Sequence, residues 1–432
     1  MSNDATAVES RRPPGAWSVG RMAATTTTTT SSPSSSRVTV PFASMYVGPS
    51  ARENLKNYRY HSTDLSLLSN HVLQPFWRAA VHALPLWLAP NLVTLIGLAH
   101  MAVAYALVAY HCPTTRLAAG DDEPPRWVWA FALYALFAYQ TLDALDGKQA
   151  RRTGSSSALG ELFDHGCDAI TTSLLSLVSA TALQLTPLHA LVQLMCLLVP
   201  FYLAQWEEYH TGEMFLGYVG VTEGQVIGMG MLATTAAFGP RFWTDTLLDA
   251  PLLGPTPLGD LMFYALLVPA LVTTATYFTS PFRNHPELGV VQPALLLAPV
   301  AASVVAVVVW AACSPPPGVH AAHQHAFQIG VGMLFANFVG KVVVARVVQA
   351  PYRPVQYVLW PLLFGAANAA VLRVVDDEHY VYFFLAWSLL TYAHFALSVV
   401  QILCDYLNVD CLTIDYDKAR RTYAEMHAKN NK

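Results

Sequence analysis

Residues 141–168 read TLDALDGKQARRTGSSSALGELFDHGCD, and this stretch decides both the fold class and the chemistry. Asp143 and Asp146 stand at i and i+3, one helical turn apart on one face. After a short polar link, Glu161, Asp164, His165 and Asp168 follow at i, i+3, i+4 and i+7, a single stripe down a second helix. Apolar runs adjoin both segments, so two helices present facing acidic stripes at membrane depth. Four carboxylates brought together repel one another and are costly to desolvate unless a counter-charge joins them. Hard divalent cations with oxygen ligands supply one, which points to Mg²⁺ or Mn²⁺ on Asp143, Asp146, Asp164 and Asp168. Two such ions about 4 Å apart suit a phosphoryl displacement. Gly147, Ala150 and Gly160 let a ligand approach the backbone, and Arg151 can fork to a phosphate.

The rest of the chain agrees with a membrane setting. Of 432 residues, 54% are hydrophobic and 12% charged, where a soluble domain carries about a quarter charged. The net charge of −4 offers no electrostatic footprint for nucleic acid. The six cysteines are scattered without a C-x-x-C pair, so neither a disulfide framework nor a zinc site is indicated. Residues 1–45, with the run Thr25 to Thr30 and a Ser-rich sequel, hold too few large apolar residues for a core and are expected to be disordered. From 46 to 82 the chain reads as an interfacial region: Leu65, Leu68, Val72, Phe76 and Ala79 recur at helical steps, with Pro75 expected to bend the amphipathic helix. A membrane domain then fills 83–405, and 406–432 forms a polar tail.

A spanning helix needs roughly 20 apolar residues. Candidates lie near 86–110, 127–145, 166–187, 189–206, 214–238, 260–279, 291–312, 326–348, 355–373 and 380–404. The expected fold is therefore an all-α integral membrane protein of about ten spans behind one interfacial helix. Basic residues alternate accordingly. Arg78, Lys148, Arg151, Arg152, Arg283, Arg346, Arg353 and Lys418 fall on one side, while Asp121 to Glu123 and Asp376 to Glu378 fall on the other. Cytoplasmic loops are enriched in Lys and Arg, so both termini and the acidic motif are expected to be cytosolic.

The whole motif obeys D-x2-D-G-x2-A-R-x8-G-x3-D-x3-D across 26 residues, with eight specified positions matched from Asp143 to Asp168. It resembles the signature of the CDP-alcohol phosphotransferase family. The flanks APNLVTLIG at 89–97, WEEYHTG at 206–212 and YRYHSTDLSLLS at 58–69 are similar to the eukaryotic choline and ethanolamine phosphotransferases in particular. That resemblance implies transfer of phosphocholine or phosphoethanolamine from CDP-choline or CDP-ethanolamine to diacylglycerol, with release of CMP. It also implies a homodimer in the endoplasmic reticulum or Golgi membrane. By matching positions, Asp143, Asp146, Asp164 and Asp168 become metal ligands, with Gly147, Ala150, Arg151 and Gly160 around the nucleotide and Asn91 a polar contact to it.

The transfer needs a base for the acceptor hydroxyl. Asp168 is the usual choice in the family at large, but a carboxylate on a metal is a poor proton acceptor. His165 lies one turn from Glu161, at the spacing that lets a carboxylate orient an imidazole, and its unperturbed pKa of about 6.5 suits a proton shuttle. The expectation is a Glu161–His165 pair as base, with Asp168 a ligand. Glu208, Tyr209 and Glu223 offer the carboxylates and aromatic face that an ammonium headgroup favours, whereas Trp206 reads first as an interfacial belt residue. His320, His323 and His325 match no closed zinc set. Lys341, inside an apolar run, is expected to face the bundle interior or snorkel. Two other functions share parts of this pattern: a membrane prenyltransferase acting on a prenyl diphosphate, and a cation transporter using the acidic stripes as an ion path.

Overall fold

The computed structural model describes residues 40–430 apart from 42, 59–61, 218, 219 and 252. The expected disordered segment thus lies, up to residue 39, outside the described residues. Among the described residues, each apolar run found in the sequence lies mainly on helix. After a short helix α1 (Gln74–Ala80) come α2 (Pro90–His111), α3 (Arg126–Thr153), α4 (Ala158–Ala182), α5 (Pro187–Thr211) and α6 (Val221–Phe238). Then follow α7 (Leu258–Asn284), α8 (Ala298–Cys313), α9 (Gln324–Val347), α10 (Trp360–Ala367), α11 (Asp377–Leu407) and α12 (Tyr416–Asn430).

Among the described residues six helices are long and apolar enough to cross a membrane: α2, α3, α5, α7, α9 and α11. This is fewer than the ten runs suggested. The reason is local: α4 spends its first turns on Glu161, Asp164 and Asp168, and α8 has only 16 residues. The protein is an integral membrane protein built on these apolar helices. Exposed Val268, Leu271, Val305, Val308, Leu390 and Leu397 give it an apolar exterior.

The core is organised around α9. Buried residues make up 89% of its apolar window, against 11% for α7, so α9 is the central helix and α7 a peripheral one. Small residues let its neighbours approach: at Gly332 an added Cβ would meet Ser173 of α4, and at Gly340 it would meet Phe395 of α11. Trp206 belongs to this core and not to a belt. It is 1% exposed, donates its indole N–H to the Pro293 carbonyl at 3.1 Å and stacks on Phe278.

Two small sheets tie loops together. Strand β1 (Ser62–Asp64) pairs parallel with β2 (Met214–Leu216), joining the segment before α1 to the one after α5. Strands β3 (Leu247–Ala250) and β4 (Gly254–Pro257) form an antiparallel hairpin. The segment around α1 divides the expected apolar stripe between two faces. Ser69, Trp77 and Val81 are buried, with Trp77 and Val81 packed against Leu145 of α3, while Val72, Phe76 and Ala79 point outward. Pro75 sits in the first turn of α1, where its missing N–H costs little, after a π-helical turn at Ser69–Leu73.

Candidate active site

The acidic motif forms a helical hairpin. Helix α3 stops at Gly154, whose φ of 64° is the left-handed conformation glycine adopts freely, and the Ser155 N–H closes on the Ala150 carbonyl at 2.9 Å. An added Cβ at Gly154 would lie 3.0 Å from Thr422 of α12, so glycine also admits the C-terminal helix. Helix α4 restarts after Ser157, whose hydroxyl accepts the Gly160 N–H at 3.3 Å. The tight link turns the two acidic stripes toward each other.

Asp143, Asp164 and Asp168 converge so that one carboxylate oxygen from each lies within 4.8 Å of the others. Among the described residues, Asp143 Oδ1 and Asp164 Oδ1 are buried with no hydrogen-bond partner. Buried, unpartnered like charges are what a cation site leaves when described without its ion, so these side chains fit a divalent metal. The fourth aspartate stands slightly apart: Asp146 accepts a hydrogen bond from the Thr94 hydroxyl of α2 and is outside the three-carboxylate group. Asp168 in turn accepts from the Tyr139 hydroxyl of α3. Thr94 and Tyr139 were not singled out in the sequence. Tyr139 stands four residues before Asp143, on the same helix face, which is the signal that would have found it.

His165 is buried, and its Nδ1 lies 2.8 Å from the Glu161 carbonyl oxygen. A carbonyl only accepts, so Nδ1 carries the hydrogen and the neutral ring keeps its lone pair on Nε2. The expected Glu161–His165 pairing through the carboxylate is therefore corrected to pairing through the backbone. The Glu161 carboxylate instead forms an ion pair with Arg346 of α9. Arg346 also reaches Glu208 of α5 at 3.1 Å, and both carboxylates are buried, at 6% and 0% side-chain exposure.

Glu208, expected as a headgroup contact, thus has an ion-pair partner inside the protein. The Tyr209 hydroxyl is engaged by the Ala350 carbonyl at 3.4 Å and the Tyr352 N–H at 3.1 Å. Glu223 caps α6, accepting from the Gly220 N–H at 2.8 Å and from the Ser66 hydroxyl. All three expected headgroup contacts thus have structural partners.

Asn91 lies across from Gly160, where an added Cβ would come within 3.7 Å of its Oδ1, and it donates to the Cys411 carbonyl at 3.0 Å. Gly147 faces Arg151, which with Asn70, Gln74, Arg78 and Lys148 lines a basic cleft of about 490 Å³ beside the acidic group. Lys341 donates to Gln356 Oε1 at 2.9 Å and sits over the Tyr357 ring. The histidines of the 320–325 loop go to separate partners: His325 to Tyr105 and Cys112, His323 to Tyr382.

A hairpin of two helices bearing this spacing, with its carboxylates converging on one buried point, is matched by a family model described as CDP-alcohol phosphatidyltransferase over residues 87–315. The chain belongs to the CDP-alcohol phosphatidyltransferase family. Three relatives match 84–87% of the chain. A protein named choline/ethanolaminephosphotransferase 2 from Arabidopsis thaliana is 32% identical over 87% of this chain and 100% of its own. Cholinephosphotransferase 1 of Saccharomyces cerevisiae is 30% identical over 86% of this chain and 99% of its own. Ethanolaminephosphotransferase 1 of Homo sapiens is 30% identical over 84% and 93%. Membership in the CDP-alcohol phosphatidyltransferase family decides against the prenyl diphosphate and cation-transport readings.

Proposed function

We propose that the protein transfers phosphocholine, phosphoethanolamine or both from the CDP-alcohol to diacylglycerol, releasing CMP and forming phosphatidylcholine or phosphatidylethanolamine, the last step of the Kennedy pathway. The observation that carries the reading is the convergence of the Asp143, Asp164 and Asp168 carboxylates, with one buried oxygen each of Asp143 and Asp164 lacking a hydrogen-bond partner, together with a cleft lined by Arg78, Lys148 and Arg151. A donor bearing a diphosphate asks for both halves of that arrangement. Asp143, Asp164 and Asp168, joined by Asp146, would hold one or two Mg²⁺ or Mn²⁺ ions, which when bound supply the positive charge that neutralises a diphosphate.

The chain's own residues account for the remaining steps. Arg151 and Lys148 attract the donor phosphates, and Gly147, Ala150 and Gly160 leave room for the nucleotide next to Asn91. The diacylglycerol hydroxyl oxygen forms a bond to the phosphorus that bears the headgroup, and the bond from that phosphorus to the CMP oxygen breaks. The hydroxyl proton passes to Nε2 of His165, whose ring is held by the Glu161 carbonyl through Nδ1. Asp168, fixed by Tyr139, serves the metal rather than the proton.

In the same reading the ten helical runs all cross the bilayer, as a homodimer of the endoplasmic reticulum or Golgi. The outward Val72 and Phe76 rest α1 in the interface, and the hairpin faces the cytosol. Purified protein with Mg²⁺ or Mn²⁺, diacylglycerol and each CDP-alcohol should release CMP and form the matching phospholipid, and excess chelator should stop it. Failure with both donors would overturn the proposal. For sidedness, Ser156→Cys in sealed cytosol-side-out microsomes should label with an impermeant maleimide without permeabilisation.

A further inference from the structure

Three helices meet at one buried cluster that the motif does not include. Glu161 comes from the first turn of α4, Glu208 from the last turn of α5 and Arg346 from the last turn of α9. The side chains are 6%, 0% and 10% exposed, and the guanidinium contacts both carboxylates. Two buried glutamates share one arginine, and among the described residues Arg346 is the cation in contact with both. A guanidinium presents its donors in a planar fork that suits contact with two carboxylates on different helices, and a lysine ammonium retains the charge though not the fork. Glu161 is also the residue whose backbone carbonyl orders His165 at 2.8 Å. One residue therefore has its side chain tied to α9 and its backbone tied to the imidazole.

We propose that Arg346 is a positioning residue for the transfer: by bridging Glu161 and Glu208 it fixes the first turn of α4 against α5 and α9, and so fixes the Nδ1 bond that leaves Nε2 of His165 as the proton acceptor. This inference rests on the proposed transfer reaction. Arg346 is 10% exposed and does not line the Arg151 cleft. Its loss therefore acts chiefly on the rate of the bound complex, whereas donor capture belongs to the Arg151 cleft and the four aspartates.

The test compares wild type, Arg346→Ala, Arg346→Gln and Arg346→Lys, each shown to be monodisperse in detergent, with CDP-choline and CDP-ethanolamine. Removing an outer-shell partner typically costs roughly 10–100-fold in activity. Arg346→Ala is expected to lose that much in kcat while the KM for the donor stays within about twofold, with a large part of the rate returning in Arg346→Lys. Arg346→Gln keeps donors without the charge and is expected to behave like Ala; it carries the test should Ala not fold. An Arg346→Gln enzyme with wild-type kcat overturns the inference, as does a loss expressed entirely in donor KM or a Lys variant no better than Gln. A wild-type protein idle with both donors overturns the transfer reading and this inference with it, whereas an active wild type beside an equally active Gln variant overturns this inference alone.

Discussion

Asp164→Asn should make the metal-free protein more stable while making it useless as an enzyme. The substitution keeps the shape of one of three buried carboxylates and removes its charge. Their facing oxygens lie within 4.8 Å of each other. At that separation, with an effective dielectric constant of about 20, two unit charges repel by about 3.5 kcal/mol. Asp164 takes part in two such pairs, so its neutralisation relieves up to about 7 kcal/mol if all three are charged, and less in proportion as the group takes up a proton. The bound metal works in the opposite direction. A ligand at 100 times its dissociation constant stabilises the native state by about 2.7 kcal/mol, a gain the variant should largely forgo. Tryptophan-fluorescence melting in detergent, with chelator and then with Mg²⁺ or Mn²⁺, reads both terms. The variant should melt above wild type in chelator, show a much smaller metal-induced rise in Tm, and turn over no CDP-alcohol. A variant that melts below wild type in chelator, or that keeps the full metal-induced rise, would refute the reasoning.

Three further outcomes are expected. Tyr139→Phe deletes the hydroxyl that donates to Asp168; hydrogen bonds to charged groups are worth about 1.5–3 kcal/mol, so kcat should fall roughly 10–100-fold, and an unchanged rate would show that the bond is idle. His165→Ala should cut kcat by roughly 10²–10⁴ with donor KM and metal binding near normal; turnover within a few-fold of wild type would hand the proton to Asp168. A hydrogen bond with Cys404 pulls the Cys411 thiol down to about 7, against the opposing effect of burial and with help from Asn91. The thiolate, which is the reactive form, should therefore fill as pH rises through about 7, and a half-maximal alkylation rate by iodoacetamide above pH 8.5 at this cysteine, followed by peptide mass spectrometry, would contradict that environment.

The helices and the acidic hairpin were legible in the sequence because both are local. Apolar runs and i, i+3, i+4 spacings are properties of a single element, and Asp143, Asp164 and Asp168 lie close together along the chain. What stayed hidden required knowing which helix faces which. Arg346 looked like a loop cation until α9 was seen to end against Glu161, 185 positions earlier in the sequence. Trp206 looked interfacial because its neighbours are Glu207, Glu208 and Tyr209, yet α5 turns that end inward against Phe278. The α1 region shows the limit of periodicity itself. Two apolar stripes run along it, and only the packing of Trp77 on Leu145 tells which one meets protein.

The Asn91 side chain at the start of α2 closes on the backbone of Cys411, 320 positions further along, and Arg152 lies under the Tyr423 ring at 4.8 Å. A nascent chain lengthens at about 5–20 residues per second, so roughly 15–65 s separate the synthesis of these two partners. During that interval the hairpin bearing the aspartates is already made, yet the segment that braces its neighbour has not emerged. Until then Asn91 and Arg152 lack these partners, and the contacts can form only after the following helices have been made and the polar segment beyond α11 has folded back. A ribosome stalled before residue 411 should therefore display a membrane-inserted chain without this brace.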